Sequence, residues 1–351
     1  MNRNIIVLGA SAGGFDAIRS IIAGLPRHLE AAVFVVWHMA PDVRGILPDV
    51  LNTLQTLPAG HAIDHEPIRN GRIYVAPPDR HLLIENDHIR VTQGPKENRF
   101  RPAIDPLFRS AAFTFGTRVI GIVLSGGLDD GSAGLWTIKQ RGGLAIVQDP
   151  EEADVPAMPQ NALATIEADY ILRTADIPAV LIRLVKEEMP KPLPGPVSAE
   201  EVEKTAREIN IQLESDTLQQ HVMGLGQLSP YTCPECHGVL TTLREGNLVR
   251  FRCHTGHAFS ADSLLASLTE NIESNLWNAI RSMQESILLL NHLGDHLAEA
   301  NQPKLAAVYF KKAREAESRS RQLQQIAYNN ESLMTAELNK QTKTPDNRFG
   351  N

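Results

Sequence analysis

The sequence predicts a doubly wound, mostly parallel α/β sheet of Rossmann-like type, followed by two smaller parts of different character. Three observations support this prediction. Up to about residue 186, continuous Val/Ile/Leu runs of strand length alternate with helical patterns, as in sheets whose strands are buried on both faces. Further on, one short segment contains all 3 cysteines. From about residue 262 the pattern is long, charged and helical,.

The strands and helices of the first part follow one another in order. Strands are predicted at "NIIVLG", "AAVFVVWH", "RVIGIVLSGG" and "GLAIVQD", and helices at "FDAIRSIIAGL", "IDPLFRSAAFTF" and "DGSAGLWTIKQRG". This alternation is typical of right-handed βαβ crossovers. The segment "GRIYVAPPDRHLLIENDHIRVTQ" alternates in shorter steps with turns at "PPD" and "END", which predicts a local antiparallel β excursion.

Changes of composition divide the chain into five predicted parts. Four prolines in the run "KEEMPKPLPGPVSAEE" indicate a stiff linker,, and "NQP" indicates a helix break. The predicted parts are an α/β domain at 1–187, a Pro-rich linker with a short helix and strand at 188–230, a small β-hairpin zinc-ribbon-like module at 231–261, a C-terminal helical hairpin at 262–335 and a disordered tail at 336–351,.

Composition excludes several classes of protein. Of the 351 residues, 42% are hydrophobic and 21% are charged, and the net charge is −7. This mildly acidic balance gives no argument for nucleic-acid binding. No apolar run approaches the roughly 18–20 residues that span a bilayer, and the first residues lead directly into a strand rather than into a signal region. We therefore expect a cytoplasmic protein with no nucleic-acid partner and no membrane insertion.

The first predicted strand runs into the glycine-rich loop "GASAGG". Read as G-x-S-x-G, the loop is a sharp strand-to-helix turn that presents the hydroxyl of Ser11 beside a helix N-terminus. Read as a dinucleotide-binding loop, it lacks the second glycine, whose place Ser11 takes, and no acidic ribose partner follows the second strand. The loop alone leaves a nucleophile, a nucleotide site and a plain structural turn open.

Two further strands end in residues that can act on a serine. His38 follows the second strand, and Asp129 and Asp130 follow "GIVLSGG". Taken singly, His38 can be a surface or capping histidine, and an aspartate can cap the next helix. Because the carboxyl ends of parallel strands meet at one edge of a sheet, the three loops together favour a Ser-His-Asp constellation. In it, His38 takes the Ser11 proton and an aspartate holds the imidazole tautomer.

These segments resemble the catalytic domain of the chemotaxis-receptor methylesterases, the CheB family. The family motifs G-A-S-T-G-G, R-P-S-V-D-x-L-F and T-G-M-G-x-D-G correspond here to "GASAGG", "RPAIDPLF" and "SGGLDDGS". The segments "VVWHMAPD", "YVAPPDRHLL" and "PAMPQNAL" also match in order, so the resemblance covers about residues 4–185. It implies Ser11 as nucleophile, His38 as general base and Asp130 as orienting acid, with no cofactor for catalysis.

The chain departs from the family pattern at three positions. Ala12 stands where the family usually has threonine, Gly127 where it has methionine, and Leu128 where it has glycine. Since the triad positions are retained, we expect hydrolysis to be retained and substrate preference to differ. The family's two-domain form also has an N-terminal receiver domain. The resemblance begins at residue 4 and is to the receiver-less members that carry an "LDDG" loop and a Cys/His tail, so phosphorylation-controlled access cannot be assumed.

The resemblance implies a serine hydrolase that removes methyl esters from glutamate side chains on the cytoplasmic helices of chemoreceptors, with glutamine deamidation as a related reaction. Two other functions stay open. One is a non-catalytic or regulatory signalling scaffold of the same fold that acts through its C-terminal half. The other is a nucleotide-dependent oxidoreductase, which is disfavoured because Ser11 and His38 stand where a glycine and an acid are needed.

The cysteine module has the ligand spacing of a tetrahedral metal site. Cys233 and Cys236 form a C-x-x-C pair, and a hairpin-like stretch leads from them to Cys253 and His257. Two thiolates from one knuckle and a Cys-x-x-x-His from the other supply four zinc ligands with no open position, which predicts a structural zinc. His257 is preferred to His254, because an adjacent Cys-His pair would chelate with strain. The alternative is a small reduced hairpin without metal.

The helical part carries an apolar stripe along one face. Its members are Leu268, Ile272, Leu276, Ile280 and Ile287, widened by Trp277, Met283 and Leu290. One interpretation is the packing face of an antiparallel helix pair. The other is a docking surface for a partner or for self-association.

Overall fold

A computed structural model describes residues 2–39, 45–188, 198–213, 222, 224–245 and 248–329. Much of the predicted linker, including the proline-rich run, and all of the predicted tail at 336–351 lie outside the described residues. The contacts divide the chain into two compact units, Met1–Leu264 and Leu265–Asn351.

Seven parallel strands form the central sheet of the first unit. They are β1 (Ile5–Ala10), β2 (Ala32–Trp37), β3 (Ala59–His61), β4 (Arg72–Val75), β7 (Val119–Val123), β8 (Leu144–Gln148) and β9 (Tyr170–Leu172). Their order across the sheet is β3-β4-β2-β1-β7-β8-β9, and every neighbouring pair is parallel.

Helices cover both faces of this sheet. They are α1 (Gly14–Ala23), α2 (Leu47–Thr53), α3 (Ile104–Phe115), α4 (Ser132–Gln140), α5 (Ala157–Thr165) and α6 (Ile177–Lys186). One core joins the sheet to α1, α2 and α6, and a second core on the other face joins it to α3, α4 and α5. The prediction of a doubly wound, mostly parallel sheet is therefore confirmed.

The first strand shows why its sequence is continuously apolar. Ile6 and Leu8 point into the first core, whereas Ile5 and Val7 point into the second. All six residues of β1 are buried. Since successive side chains of a strand point to opposite faces, a strand covered by helices on both faces needs an apolar residue at each position.

The structure corrects the predicted antiparallel excursion in part. β4 is a parallel strand of the central sheet, paired with β2 and β3. The excursion is confined to β5 (His81–Glu85) and β6 (His88–Thr92), an antiparallel hairpin with Asn86 at φ 54° in its turn. Three of the four residues of β4 are buried, so this strand belongs with the core strands rather than with the hairpin.

The cysteine module is larger than the predicted hairpin. Its four antiparallel strands are β10 (Gln227–Thr232), β11 (Val239–Glu245), β12 (Leu248–Cys253) and β13 (Ala258–Ser260). We call them the C-terminal sheet. The helix α7 (Ala199–Gln212) precedes it and begins with a capping box of Ser198 and Glu201,. The C-terminal sheet belongs to the same compact unit as the central sheet.

The second unit is a helical hairpin, as predicted. Helix α8 (Ala261–Glu299) starts in the first unit, and α9 (Pro303–Tyr328) follows after the predicted break. Trp277 and Tyr328 meet edge to face at 5.4 Å, so the helices run antiparallel. Within the predicted stripe, Ile280 is buried, whereas Ile272 is 45% exposed. No helix in the described part of the chain is both long and apolar enough to cross a membrane.

Candidate active site

The candidate site lies where the strand order reverses. β1 pairs with β2 on one side and with β7 on the other, and such a reversal opens a crevice beyond the carboxyl ends of the strands. Ser11 directly follows β1, His38 directly follows β2, and Asp130 lies in the loop after β7. The topology therefore brings the three predicted loops to one edge of the sheet.

The loop after β1 holds Ser11 through its backbone. The Ser11 N–H donates to the carbonyl of Ser125 over 2.9 Å, and the Ser11 carbonyl accepts from Gly14 N–H and from Trp37 Nε1. The left-handed residue of the loop is Gly13, at φ 72°, where a Cβ would also collide with Ser125 Oγ. The turn therefore depends on the glycine, and the serine itself has an unstrained backbone.

Ser125 connects the serine loop to its neighbours. Its hydroxyl donates to the carbonyl of Ala12 and accepts from Val155 N–H, both over 2.9 Å, and its own N–H donates to Gln148 Oε1 over 2.8 Å. Each of these groups is therefore fixed in the crevice. This serine could not be identified from the sequence, because nothing in "VLSGG" distinguishes a supporting hydroxyl from a solvent-facing one.

His38 and Asp130 form a buried hydrogen bond. His38 Nε2 lies 2.7 Å from Asp130 Oδ2, and both side chains are only 2% exposed. The ring of Phe100 stacks on the imidazole with centroids 3.8 Å apart and planes at 12°. His38 Nδ1 is buried and has no hydrogen-bond partner among the described residues, so this nitrogen is the one available to a substrate or nucleophile.

Several donors stabilise the ionised form of Asp130. Its carboxylate accepts from Ile104 N–H over 2.7 Å and from Asn98 Nδ2 over 2.9 Å, in addition to its bond with His38. Burial alone would raise the pKa of Asp130, but the hydrogen bonds from His38, Ile104 and Asn98 hold it below its ordinary value,. The neighbouring Asp105 has a raised pKa because of burial and the charge of Asp130. Asp130 therefore carries the negative charge of the pair.

An open cleft of about 470 Å³ lies beside this arrangement, and Ser11 and His38 are among its lining residues. Its residues come from the loop after β1, the end of β2 and the loop after it, the loop after β4 and the segment before α3. They are Ser11, Ala12, Gly13, Trp37, His38, Met39, Asp79, Lys96, Arg99, Phe100 and Arg101. Ser11 and His38 thus share one cleft, although Ser11 Oγ makes no hydrogen bond to His38 Nδ1. Apo sites often show such long or open contacts, which tighten when substrate binds.

The residues that form this site lie within a segment that matches a known protein family. The sequence model of the CheB methylesterase family matches residues 6–181, which contain Ser11, His38 and Asp130. This match spans half of the chain. The chain belongs to the CheB methylesterase family. The predicted resemblance is confirmed, and with it the prediction of an enzyme of the methylesterase class.

Individual CheB relatives agree with this assignment. A Leptospira interrogans protein, provisionally named a protein-glutamate methylesterase/protein-glutamine glutaminase, is 38% identical over 185 residues, which are 52% of this chain and 96% of that protein. A protein-glutamate methylesterase/protein-glutamine glutaminase of Hydrogenovibrio crunogenus is 32% identical over 53% of this chain and 50% of its own length. The chain therefore spans nearly all of one relative and half of the other.

A solved CheB structure agrees with the fold. The crystal structure of the Thermotoga maritima CheB methylesterase catalytic domain matches with a TM-score of 0.51 and 33% sequence identity. The match covers all of that chain and 53% of this one. The α/β part therefore has the fold of a CheB catalytic domain, and the remaining part of the chain is additional to it.

The departures from the CheB motifs have different structural settings. Ala12 lines the cleft, whereas Gly127 and Leu128 are not among its lining residues. Leu128 has φ 62°, the left-handed backbone that its glycine counterpart in the family motif adopts without strain,. A Cβ added at Gly127 would meet no atom within 4 Å, so no close packing at the backbone requires a glycine there.

The four predicted metal ligands converge in the C-terminal sheet. The ligand atoms of Cys233, Cys236, Cys253 and His257 all lie within 4.8 Å of one another. The sulfur atoms of Cys236 and Cys253 are 3.6 Å apart, and His257 Nδ1 lies 3.7 Å from the Cys233 sulfur and 3.6 Å from that of Cys253. A tetrahedron with zinc–sulfur bonds of about 2.3 Å has sulfur–sulfur edges of about 3.8 Å. The donor set therefore fits zinc.

Two similar turns build this cluster. Cys233 N–H donates to the Gly238 carbonyl over 2.7 Å, and Cys253 N–H donates to the His257 carbonyl over 2.9 Å. Each turn places two ligands close together. His254 lies outside the cluster, with its ring against Gly238, which agrees with the preference for His257 as the fourth ligand.

Two further residues of the site were missed in the sequence. Asn98 contacts Asp130, and Phe100 stacks on His38. Both lie in "ENRFRP", directly before the matched motif "RPAIDPLF". Their position beside a motif was the available signal, but an asparagine or phenylalanine in a loop has no pattern that identifies such a contact.

Proposed function

We propose that this chain is a protein-glutamate methylesterase whose catalytic triad is Ser11, His38 and Asp130. The observation that carries the proposal is the buried His38–Asp130 hydrogen bond beside Ser11 in one open cleft of a CheB-family domain. The names of the relatives support the ester substrate and add glutamine deamidation as a second reaction. The loop after β1 disfavours a nucleotide-dependent oxidoreductase, since Ser11 stands where the dinucleotide motif has its second glycine,.

The first step uses the orientation of the imidazole. Because the ionised Asp130 can only accept a hydrogen bond, His38 Nε2 carries the proton and Nδ1 carries the lone pair,. With substrate bound, Ser11 Oγ attacks the carbonyl carbon of the methyl ester and gives its proton to Nδ1. The imidazolium that forms is stabilised by the carboxylate of Asp130.

Backbone donors can stabilise the oxyanion of this step. The amides of Ala12 and Gly13 make no hydrogen bond within the described part of the chain, and both directly precede α1, which begins at Gly14. Free N–H groups at a helix N-terminus favour negative charge. We therefore assign them as the oxyanion donors.

The remaining steps return the enzyme to its starting state. The carbon–oxygen bond to the methoxy group breaks, and methanol leaves with the proton from His38 Nδ1. Water then attacks the acyl-enzyme and gives a proton to Nδ1, and that proton returns to Ser11 Oγ as the glutamate carboxylate is released. With a glutamine side chain, ammonia leaves in place of methanol.

The proposed substrate is a methylated glutamate on the cytoplasmic helices of a chemoreceptor, and the proposed compartment is the cytoplasm. The cleft is open and bordered by Lys96, Arg99 and Arg101. Two of these side chains are already paired, Lys96 with Glu235 and Arg101 with Asp79, so the openness of the cleft, rather than its charge, supports a protein substrate. The reaction needs no cofactor in this scheme.

A structural zinc is proposed for the C-terminal sheet, held by Cys233, Cys236, Cys253 and His257. All four ligands are protein side chains in a compact cluster, so the zinc would stabilise the fold and take no part in the ester chemistry. Elemental analysis of the purified full chain should give one zinc per chain. A content well below one equivalent contradicts this assignment.

Exposed leucines favour a partner-binding role for the second unit, in addition to catalysis. Leu288 and Leu289 are 70% and 58% exposed on α8, and Leu305 is 45% exposed on α9. Large exposed apolar side chains such as these are available for contact with a partner. Either self-association or a signalling partner would cover these side chains, and the sedimentation of the full chain with and without a chemoreceptor distinguishes the two.

The deciding experiment measures methanol release from a methylated chemoreceptor by the full chain. We expect turnover by the wild type and none by Ser11→Ala. The matched control is Ser20→Ala, which changes an exposed serine of α1 and should keep wild-type turnover. Covalent labelling of Ser11 by a fluorophosphonate reports the nucleophile separately. Unchanged turnover by Ser11→Ala contradicts the mechanism, and a wild type that neither reacts nor labels favours the scaffold alternative.

A further inference from the structure

A tight turn at residues 97–100 lies between the triad and the C-terminal sheet. Glu97 and Phe100 exchange backbone hydrogen bonds of 3.2 and 3.0 Å. The two residues at its tip, Asn98 and Arg99, have positive φ values of 49° and 77°. This is the backbone of a two-residue hairpin turn, which asparagine tolerates better than arginine. Such a turn needs support from its surroundings.

One side of this turn contacts two of the three proposed triad residues. Asn98 Nδ2 donates to Asp130 Oδ1 and to Asp105 Oδ2, each over 2.9 Å. Phe100 stacks on the ring of His38. The amide nitrogen of Asn98 therefore bridges two buried carboxylates, and the turn fixes both the acid and the imidazole plane.

The other side of the turn is held by the C-terminal sheet. Asn98 N–H donates to the Ala258 carbonyl over 2.8 Å, and Ala258 N–H donates to the Lys96 carbonyl over 3.1 Å. Asn98 Oδ1 accepts from Ser260 N–H over 2.9 Å and from Ser263 Oγ over 3.2 Å. The C-terminal sheet and the start of α8 thus supply the donors that face the amide oxygen.

These donors select the orientation of the Asn98 amide. A flipped amide would turn its oxygen toward Asp130 and Asp105 and its nitrogen toward Ser260 N–H. Such an orientation places an acceptor against the ionised Asp130 and a donor against the Ser260 N–H. The contacts from Ser260 and Ser263 therefore keep the donor end of Asn98 on Asp130.

A buried ionic cluster anchors the same turn. Glu97 is fully buried and pairs with Arg109 of α3 and with Arg250 and Arg252 of β12. Burial alone would raise the pKa of Glu97, but the three arginines hold it below its ordinary value. Glu208 of α7 pairs with the same three arginines. Removing one partner from such a cluster leaves an uncompensated charge.

The Cys/His cluster lies at the connection that sets the position of β13. Cys253 ends β12, and His257 directly precedes β13. The contacts of Ala258 and Ser260 with the turn begin one residue beyond His257. A metal held by these ligands therefore fixes the segment that holds Asn98.

We propose that Asn98 is a positioning residue for Asp130, held in its working orientation by the C-terminal sheet and its Cys/His cluster. The proposal rests on the proposed methylesterase function. It makes the C-terminal sheet a support of the active site, although none of its residues touches the reacting atoms. If the C-terminal sheet is loosened, the α/β domain still contains all three triad residues, but Asp130 and His38 are no longer held in their working orientation.

The test compares full-length variants by methanol release per fluorophosphonate-labelled site, so that unfolded protein is not counted. Asn98→Asp replaces the donor by an acceptor with little change of shape, and its kcat should fall on the order of 10²-fold with KM little changed. Ser263→Ala should lower kcat by a smaller factor. Ser229→Ala is the matched control, since Ser229 donates to Leu240 within the same sheet and should keep wild-type kcat.

A spectroscopic readout separates positioning from general stability. The Nε2–H proton of His38, shared with Asp130 over 2.7 Å, should give a far-downfield proton resonance in the wild type. We expect Asn98→Asp and removal of zinc by a chelator to shift or abolish it while circular dichroism still shows the folded α/β domain. An unchanged resonance and kcat in Asn98→Asp overturns the role of Asn98. An unchanged resonance and kcat after verified zinc loss overturns the role of the cluster. A wild type that releases no methanol overturns the proposed function instead, and the resonance then still tests the positioning.

Discussion

His38 meets Asp130 through Nε2, over 2.7 Å, and its Nδ1 is buried without a hydrogen-bond partner among the described residues. The imidazole is fixed in this orientation by Phe100 on its face and by the carboxylate at its edge. A change at Asp130 therefore alters the tautomer of His38 as well as the charge beside it.

Asp130→Asn should lower kcat on the order of 10⁴-fold, because an amide no longer selects the tautomer with its lone pair on Nδ1. The measurement is methanol release per chain, with circular dichroism to confirm folding. The substitution Asp169→Asn, at a surface ion pair with Lys139, is the control. A loss below tenfold for Asp130→Asn would falsify the orienting role.

Asp129→Asn should make the protein more stable above neutral pH. Burial, with the charges of Asp262 and Asp130, raises the pKa of Asp129 from 3.8 to about 7. The stability contributed by the protonated form is complete below pH 3.8 and is lost as pH rises through about 7,. The expected gain at pH 8 is about 1–2 kcal/mol, less than the full shift would give, because the residue is partly exposed.

Chemical denaturation of both proteins at pH 4 and pH 8 checks this prediction. The difference in unfolding free energy between Asp129→Asn and the wild type should be small at pH 4 and should grow toward pH 8. The asparagine oxygen can still accept the hydrogen bond from Ser260 Oγ that Asp129 accepts over 2.6 Å. An equal difference at both pH values is incompatible with the titration.

Leu128→Gly should stabilise the native backbone. Leu128 has φ 62°, which costs an L-residue with a side chain about 1–2 kcal/mol relative to glycine. Part of this gain is offset by the greater freedom of glycine in the unfolded chain, so the net expectation is an increase of about 0.5–1 kcal/mol. Thermal unfolding measures it, and Leu163→Gly on α5 is a contrasting control that should destabilise. A lower midpoint for Leu128→Gly contradicts the strain argument.

Glu97→Gln should destabilise the first unit by about 3–5 kcal/mol, because it leaves buried arginines without a full complement of negative charge. The matched control is Arg183→Met. Its ion pair with Glu187 is about half exposed and should contribute at most about 1 kcal/mol. Urea denaturation compares the two. Similar decreases in unfolding free energy for both substitutions would show that the buried cluster stabilises the protein no more than a surface ion pair does.

Cys236→Ser should reduce the zinc content well below one equivalent, because it removes one of four ligands,. His254→Ala should keep the zinc, since that ring lies against Gly238 outside the cluster. Elemental analysis of both purified variants gives the answer. Zinc retained by Cys236→Ser and lost from His254→Ala would reverse the assignment of the ligands.

The sequence predicted the structure best where a short-range pattern, such as an apolar run or a ligand spacing, determines the local fold. β1 and β7 are buried on both faces, so their apolar runs identified them and also placed Ser11 and Asp130 at strand ends. The cysteine spacing brought out four ligands that converge in space. In both cases the relevant residues are either close in sequence or related by the parallel topology.

The sequence was less informative where contacts are set by distant segments. β4 was assigned to an antiparallel excursion, because its four residues are too few to separate a core strand from a hairpin strand. The partners of Asn98 include Ser260 and Ser263, which lie more than 160 residues away in the chain. No periodicity or spacing encodes such a pairing, since it depends on how the C-terminal sheet packs.

The ionic cluster around Glu97 also restricts how this architecture can evolve. Two of its three arginines, Arg250 and Arg252, come from β12, whereas Glu97 lies before α3. A lineage that lost the C-terminal sheet would expose this carboxylate or bury it with Arg109 alone. We therefore expect glutamate at position 97 to be inherited together with both arginines, and relatives built from the catalytic domain alone to carry an uncharged residue there.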